Sequence, residues 1–182
     1  MFSTISTVPD VLFLKDVYLT KKTDTYFEPS CYEGEYINYT ALPEYFIDLN
    51  TWPKISDLQC CSCNLPFRGI PWFIALNKSF KVIDGVQKKV MEVHRVFCTP
   101  FCAMWYINNV NDSHIINKWD VLELLREFCS TVLSRKVEYI PEAPSKYEMI
   151  QHKGMDGIST QEYRNLLDKL WDEIGFNLSP NK

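Results

Sequence analysis

The residues best suited to chemistry are thiols: five of the chain's seven cysteines lie in two short segments, CCSCNLPFRG and FCTPFC. Two cysteines separated by two residues on a tight turn direct both thiolates at one ion, so Cys60 and Cys63 form one half of a zinc site. Cys98 and Cys102 supply the other half, at the end of a predicted strand and in the first turn of a predicted helix. A helix N-terminus also favours the thiolate form. This spacing predicts one Zn²⁺ bound by four cysteines.

Four protein ligands would complete a tetrahedral site with Zn–S bonds of about 2.3 Å, so the zinc is predicted to be structural and not catalytic. Two alternatives stay open. Cys61 adjoins the first pair, but the spacing of Cys60 and Cys63 favours these two as ligands and Cys61 as a core residue. His94 precedes Cys98 by four residues and is either a replacement ligand or a strand residue beside the site. The other two thiols are interpreted as small buried apolar residues: Cys31 and Cys129.

The 34 residues between the two cysteine pairs must bring them together, and their pattern predicts a β-hairpin. Residues 71–78 and 79–97 are rich in strand-forming types, and Asp84-Gly85 is a favourable hairpin turn. Thr99 is a suitable N-cap and Pro100 a suitable first residue for the helix that follows. The order of knuckle, hairpin and helix corresponds to the treble-clef arrangement.

The rest of the chain predicts helices after the hairpin and extended structure before the first cysteine. A helix is expected over 117–134, followed by a Pro/Gly loop over 138–157. Ser159 with Glu162 three residues later indicates a capping box that starts the last helix. The buried stripe predicted on the 117–134 helix is Trp119, Leu122, Leu125, Phe128, Cys129, Val132 and Leu133.

These elements predict an α+β fold in three parts. Residues 1–56 form an extended N-terminal arm that includes a strand in VLFLKDVYLTKK. Residues 57–110 form a small treble-clef zinc domain, and residues 111–182 form a helical C-terminal region packed on it. With 182 residues, of which 46% are hydrophobic, the chain is long and apolar enough to bury a core.

Composition also bounds the compartment and the partners. No apolar run approaches the ~20 residues needed to span a bilayer, and the first residues lack the features of a signal peptide. An intracellular, non-secreted protein is therefore expected, with clustered thiols that serve as metal ligands. Net charge is −4, yet residues 60–105 hold six Lys/Arg against two Asp/Glu. A zinc–tetrathiolate site would reduce this excess to about +2, which is a weak indication of nucleic-acid binding.

The cysteine segments resemble a known zinc-finger family. The motif formed by Cys60, Cys63, Asn64, Phe67 and Arg68, followed by Phe97, Cys98 and Cys102, is similar to the FCS/MYM-type zinc finger. It is most similar to the version in the late gene trans-activators of poxviruses and other large nucleocytoplasmic DNA viruses. The similarity is close over 60–105, looser over 106–176, and does not cover 1–56. Thr99 replaces the expected serine, and the inter-cysteine loop is long.

The resemblance implies a virus-encoded late transcription factor that acts as an activator with the viral RNA polymerase and other late transcription factors. Late promoter DNA is a further candidate partner, and no membrane is implied. The viral factory in the host cytoplasm, or the nucleus, is the expected location. The runner-up is a zinc-stabilised interaction adaptor with no role in transcription. An enzyme is not expected, because the sequence contains no Gly-rich phosphate loop after a strand and no nucleophile motif.

Several basic residues have two interpretations. Arg68 contacts phosphate or an acidic partner, or else caps carbonyls near the knuckle. The hairpin cations lie near aromatic residues and are either nucleic-acid or partner contacts, or a solvated face: Lys78, Lys81, Lys88, Lys89 and Arg95. The last helix carries an apolar stripe that packs on the domain or docks a partner: Tyr163, Leu166, Leu167, Leu170 and Trp171.

Overall fold

The computed structural model describes residues 42–174, which form a mixed α+β fold with one three-stranded sheet and four α-helices. The predicted strand in VLFLKDVYLTKK, Cys31 and most of the predicted N-terminal arm lie outside the described residues. The elements are β1 (Tyr45–Phe46), β2 (Trp72–Ile83), β3 (Val86–Phe97), α1 (Pro100–Asn109), α2 (Lys118–Leu133), α3 (Ile150–Lys153) and α4 (Thr160–Glu173).

The predicted β-hairpin is confirmed. Strands β2 and β3 pair antiparallel from Trp72 opposite Phe97 to Ile83 opposite Val86. Asp84 and Gly85 join them with φ values of 55° and 75°. Two successive residues in the left-handed region are the signature of the type I′ turn, whose twist matches that of the flanking strands.

Strand β1 adds to the other edge of β3, so the strand order is β1-β3-β2. Tyr45 lies opposite Glu92 and Phe46 opposite Met91. The segment that follows β1 also enters the core: Trp52 is 3% exposed, and its indole N–H donates to the carbonyl of Pro71 at 2.8 Å. The described end of the predicted arm, residues 42–56, therefore supplies buried aromatic residues to the sheet.

One side of the sheet meets α2 through an aromatic cluster centred on Phe128. The Phe128 ring lies 4.2 Å from Phe73, 4.9 Å from Phe46, 5.4 Å from Trp72 and 6.4 Å from Trp52, measured between centroids. Three of these four pairs are edge-on, which is an arrangement that aromatic quadrupoles favour, and the pair with Phe73 is tilted. The cluster thus joins β1, the following loop, β2 and α2 in one core.

Helix α2 begins where predicted, but its buried stripe is shorter. The side chain of Asn117 accepts from the backbone N–H of Trp119 and caps the helix. The prediction that Trp119 is buried is wrong: it is 73% exposed, because its position on the helix lies to one side of the face that packs on the sheet. Val121 occupies the buried position in its place, and Val132 and Leu133 are half-buried.

Helix α4 packs on the domain, as one interpretation of its apolar stripe predicts. Tyr163 is fully buried, and its hydroxyl donates to the carbonyl of Pro144 at 2.7 Å. The Trp171 ring contacts Phe101 of α1 at 4.8 Å and Trp72 of β2 at 5.7 Å. The stripe therefore joins the last helix to the hairpin and to the helix that follows it.

The predicted loop over 138–157 contains short helical segments that the sequence pattern does not reveal. A 3-10 turn at Lys146–Glu148 precedes α3, and another at Gly154–Asp156 follows it. Elements of three or four residues are too short to show a helical period. Gly157 comes next, where a Cβ atom would lie only 2.6 Å from the backbone N of Ile150, so two backbones cross at a separation that excludes any side chain.

The capping box at the start of α4 provides a test of local stability. Ser159 Oγ accepts from the backbone N–H of Glu162, and the Glu162 carboxylate accepts from that of Ser159. We expect Ser159→Ala to lower the free energy of unfolding by about 1 kcal/mol, because an orphan backbone donor loses its partner. Denaturant titration measures this. Thr160→Ala, one residue into the helix, is the control; equal stability of the two variants would contradict the prediction.

Candidate metal centre

The first cysteine pair lies on a tight knuckle that backbone hydrogen bonds close. The amide of Cys60 donates to the carbonyl of Leu65 at 3.0 Å, and the amide of Asn64 donates to the carbonyl of Cys60 at 2.9 Å. Asn64 has a φ of 60°, a left-handed conformation that asparagine tolerates better than most residues. The amide of Cys61 donates to the carbonyl of Val96 at 2.8 Å and so ties the knuckle to the end of β3.

The second cysteine pair lies at the junction of β3 and α1. Cys98 follows the last residue of β3, and Cys102 lies in the first turn of α1. Thr99 is the N-cap, as predicted; its hydroxyl accepts from the amide of Cys102 at 3.2 Å. Pro100 opens the helix, where its missing N–H costs nothing. Cap and proline together fix where Cys102 enters the site.

The structure brings these four thiols together. The sulfur atoms of Cys60, Cys63, Cys98 and Cys102 all lie within 4.8 Å of one another. The Cys98 sulfur is 3.6 Å from that of Cys63 and 3.7 Å from that of Cys102. These separations are far longer than a disulfide bond of about 2.05 Å. They match the sulfur–sulfur edge of about 3.8 Å in a tetrahedron whose metal–sulfur bonds are about 2.3 Å.

Burial makes a cation the natural complement of this cluster. Cys60, Cys63 and Cys102 are at most 1% exposed. Burial raises the pKa of the Cys60 thiol, but hydrogen bonds from Cys102 and Cys63 outweigh it and lower that pKa. The same interactions with Cys60 and Cys63 raise the pKa of Cys102. Deprotonation of Cys60 therefore makes deprotonation of Cys102 less favourable. Four thiolates can coexist here only around a positive ion. The cluster could thus hold a metal ion.

Neither open alternative joins the four sulfurs. Cys61 is half-buried and lies outside the cluster, although its amide anchors the knuckle. His94 instead forms a hydrogen bond to Asp112. Cys129 is 1% exposed within α2, as expected of a small core residue.

The predicted basic contact residues are more often paired than solvated. Lys78 and Lys89 lie 2.5 and 3.0 Å from the two carboxylate oxygens of Glu127 in α2. The ammonium of Lys81 lies 3.3 Å from the centre of the Tyr45 ring. Lys88, half-buried on β3, is the remaining predicted lysine. The sequence could not reveal that Glu127 lies beside two of these cations.

Arg68 lies beside the metal centre and not within the hairpin. Its guanidinium is 4.0 Å from Asp168 of α4, and both side chains are about half exposed. Arg68 and Arg164 line an open groove of about 770 Å³ that also includes Cys98 and Trp171. Burial lowers the pKa of Arg164, and the positive charge of Arg68 lowers it further. Arg68 therefore lies in a groove of mixed charge, in which Asp168 and Asp172 accompany the cations.

A second polar cluster, which the sequence pattern does not reveal, surrounds Asp112 in the loop after α1. Its side chain is 4% exposed, and one carboxylate oxygen lies 2.8 Å from His94 Nε2 and 2.9 Å from the Tyr106 hydroxyl. The other oxygen lies 2.9 Å from His114 Nδ1. The hydrogen bond from His94 holds the pKa of the Asp112 carboxyl well below its usual range, against the opposing effect of burial. Arg95, another predicted contact residue, lies 3.5 Å from the same carboxylate.

This cluster gives a stability prediction. We expect Asp112→Asn to lower the free energy of unfolding by about 2 to 3 kcal/mol. The buried carboxylate accepts several hydrogen bonds, and the amide that replaces it would turn its NH2 group, itself a donor, toward one of the surrounding donors. Chemical denaturation monitored by tryptophan fluorescence measures the change. Asp57→Asn, at an exposed position, serves as the control. If the two variants unfold at the same denaturant concentration, the Asp112 network contributes no net stability.

Among known proteins, the chain is similar to proteins of African swine fever virus. The chain is 28% identical over 153 residues to the uncharacterized protein B175L of one strain, covering 80% of this chain and 82% of that protein. It is 29% identical over 115 residues to B175L of a tick isolate, covering 62% of this chain and 61% of that protein. No protein-family model matches the chain, and no solved structure matches it. This weak similarity points to a large DNA virus as its origin.

None of the helices between residues 42 and 174 has the length and apolar character required to cross a bilayer.

Proposed function

We propose that the cysteine cluster binds one structural Zn²⁺ and that the chain is a late gene transcription factor of a large DNA virus. The observation that carries the proposal is the set of four sulfurs within 4.8 Å, supplied by a knuckle and by the start of a helix. Four thiolates form a soft, tetrahedral donor set that suits zinc. The knuckle, the β2–β3 hairpin and α1 would then form a treble-clef finger of the FCS/MYM type.

The proposed zinc would act as a structural tie and not as a catalyst. Cys60 and Cys63 belong to the knuckle, whereas Cys98 and Cys102 belong to the junction of β3 and α1. The Cys61–Val96 backbone hydrogen bond joins the two regions. An ion held by all four cysteines would fix this junction and, through Phe101 and Trp171, the position of α4. A four-coordinate site has no open position for substrate, which supports a non-enzymatic role.

Two features of the sequence support the late-transcription role. The motif around the cysteines resembles that of viral late gene trans-activators, and the similar proteins come from a large nucleocytoplasmic DNA virus. Under this proposal the chain works inside the infected cell with the viral RNA polymerase and other late factors.

The hairpin favours a protein partner over direct DNA contact. Its far half carries exposed apolar side chains, with Phe80 67%, Val82 74% and Val86 58% exposed. Two of its lysines, Lys78 and Lys89, are already paired with Glu127. An apolar surface with partly neutralised cations suits a protein more than a phosphate backbone. This same observation supports the second candidate, a zinc-stabilised adaptor outside transcription.

Affinity purification of the tagged chain from infected cells, read by mass spectrometry, separates the two roles. Under the late-transcription proposal, viral RNA polymerase subunits or late factors are recovered with the wild type. They should be lost with Cys63→Ser and retained with Cys61→Ser, the matched control in the same knuckle. Recovery of other viral or host proteins without transcription components would support the adaptor role and overturn the transcription proposal.

Direct DNA binding has its own test. Binding through the hairpin should weaken steeply with salt, because each phosphate contact releases counterions. Removing two charges with Lys88→Ala and Lys89→Ala should then reduce the slope of log K against log salt by about 2. A salt-independent interaction, or a slope unchanged in the double variant, would exclude the hairpin as a DNA-binding surface.

A further inference from the structure

Asp112 lies between two histidines that come from different elements. His94 is in β3 and is mostly buried, with 14% of its side chain exposed, whereas His114 is in the loop after α1 and is 62% exposed. Each imidazole lies within hydrogen-bond distance of a different oxygen of the Asp112 carboxylate, at 2.8 and 2.9 Å. The two rings lie 5.0 Å apart between centroids. Two nitrogen donors and one carboxylate therefore converge on one small volume.

We propose that His94, Asp112 and His114 form a second metal site, for a divalent transition-metal ion, separate from the cysteine cluster. One ligand atom from each residue lies within 4.8 Å of the others. Imidazole nitrogen combined with carboxylate oxygen is a donor set for zinc, iron, cobalt or nickel, and it differs in kind from four thiolates. The site depends neither on the treble-clef assignment nor on the proposed role in transcription.

The three ligand atoms lie close enough for one ion to draw them into its coordination shell, since none is more than 4.8 Å from another. Tetrahedral ligation with bonds of about 2.0 to 2.1 Å places neighbouring ligand atoms about 3.3 Å apart. The present nitrogen–oxygen separations are 2.8 and 2.9 Å, so each imidazole must withdraw by about half an ångström. His114 is exposed and free to do so, whereas Asp112 is held by the amide of His114 and by Tyr106.

Tyr106 provides the outer support that such sites need. Its hydroxyl donates to Asp112 at 2.9 Å, and its ring packs edge-on against Phe97 at 5.3 Å. A fixed outer hydrogen bond orients a carboxylate ligand and commonly changes metal affinity by about 10- to 100-fold. The three protein ligands leave one coordination position toward solvent, on the side of the exposed His114 ring, for water or for a donor from a partner.

Arg95 is the competing cation. Its Nε lies 3.5 Å from Asp112, and its side chain is about half exposed. An incoming ion would displace the guanidinium into solvent, so Arg95 weakens metal binding without blocking the site. Arg95→Gln should therefore tighten metal binding by up to about fivefold, as expected for removal of a competing surface ion pair. If these residues only stabilise the fold, Arg95→Gln should not tighten metal binding.

Cobalt titration of the full chain, purified with its cysteine cluster filled, tests the proposal. We expect one further equivalent of Co²⁺, with visible d–d absorption and no thiolate-to-cobalt charge-transfer band. His114→Ala should weaken this binding by more than about tenfold, while His152→Ala, at the exposed histidine of α3, leaves it unchanged. Tyr106→Phe should also weaken cobalt binding, because it removes the hydroxyl that supports Asp112 while the aromatic ring is kept.

Three outcomes would overturn the second site: no further equivalent, equal binding by His114→Ala, or cobalt absorption that comes entirely from the cysteine cluster, as its charge-transfer band would show. Zinc content of the starting protein, measured separately by mass spectrometry, reports on the cysteine cluster alone. A chain without zinc that still binds cobalt through His114 would contradict the proposed finger and support this site, so the two proposals can fail independently.

Discussion

Replacing Cys63 with serine should remove the bound metal and unfold the knuckle together with the base of the hairpin. Cys63 is fully buried, and its sulfur lies 3.6 Å from that of Cys98. Structural zinc contributes about 10 to 16 kcal/mol of apparent binding free energy in small finger domains. A typical domain is stable by only about 5 to 15 kcal/mol. Loss of the proposed ion would therefore remove about as much free energy as a typical domain has in total, so the knuckle and the base of the hairpin are not expected to stay folded without it.

Metal content by mass spectrometry and backbone NMR would measure this effect. We expect about one zinc per wild-type chain, and for Cys63→Ser no zinc and collapsed chemical-shift dispersion for residues near 60–66 and 96–109. Cys61→Ser is a close control, because it changes a thiol of the same knuckle that is outside the cluster while its anchoring amide is retained. A Cys63→Ser protein as well folded as the control would show that the cluster does not hold a structural metal.

Truncating Phe128 to alanine is expected to be the most damaging change away from the cysteines. The ring contacts four other aromatic residues drawn from β1, the following loop and β2. Phenylalanine-to-alanine changes in a core cost about 3 to 5 kcal/mol, through lost transfer free energy and the cavity left behind. The loss of local stability should be greatest in residues 42–56, where the fewest other contacts can compensate for the missing ring.

Denaturant titration gives the change in the free energy of unfolding, and hydrogen exchange locates it. For Phe128→Ala we expect faster exchange at Phe46 and Trp52 than the global loss of stability alone requires. Trp119→Ala removes a larger ring from the same helix, but at a 73% exposed position, and should change stability by less than about 0.5 kcal/mol. Similar effects of the two variants would contradict the central role of Phe128.

The hairpin and helix starts were predictable because each depends on a few adjacent residues. Asp84-Gly85 can adopt two successive left-handed conformations, and Thr99 followed by Pro100 satisfies the demands of a helix N-terminus without any distant contact. The capping box at Ser159 is equally local. Spacing alone also predicted which four cysteines meet, because a knuckle and a helix start each present two thiols on one side.

Features that depend on distant partners were not predictable. Trp119 precedes Leu122 by three residues and so fits the apolar period of α2, yet that period does not show how wide the buried face is. The sequence predicts Lys78 and Lys89 either as nucleic-acid or partner contacts or as part of a solvated face, but Glu127, 49 and 38 residues further along the chain, pairs with both. Asp112 lies in a polar loop that has no periodic pattern. Its contact with His94 depends on the packing of this loop beside β3, which the sequence does not show.

The separation of the cysteine pairs along the chain sets an order of events during synthesis. Cys102 emerges from the ribosome 39 residues after Cys63. At about 5 to 20 residues per second, that interval lasts about 2 to 8 seconds. Throughout it the knuckle can offer an ion only half of its ligands, and the hairpin that will deliver the rest is still incomplete. Capture of the proposed metal by the full cluster therefore has to follow translation of the hairpin, and until then the thiols of the nascent knuckle have to stay reduced to remain available.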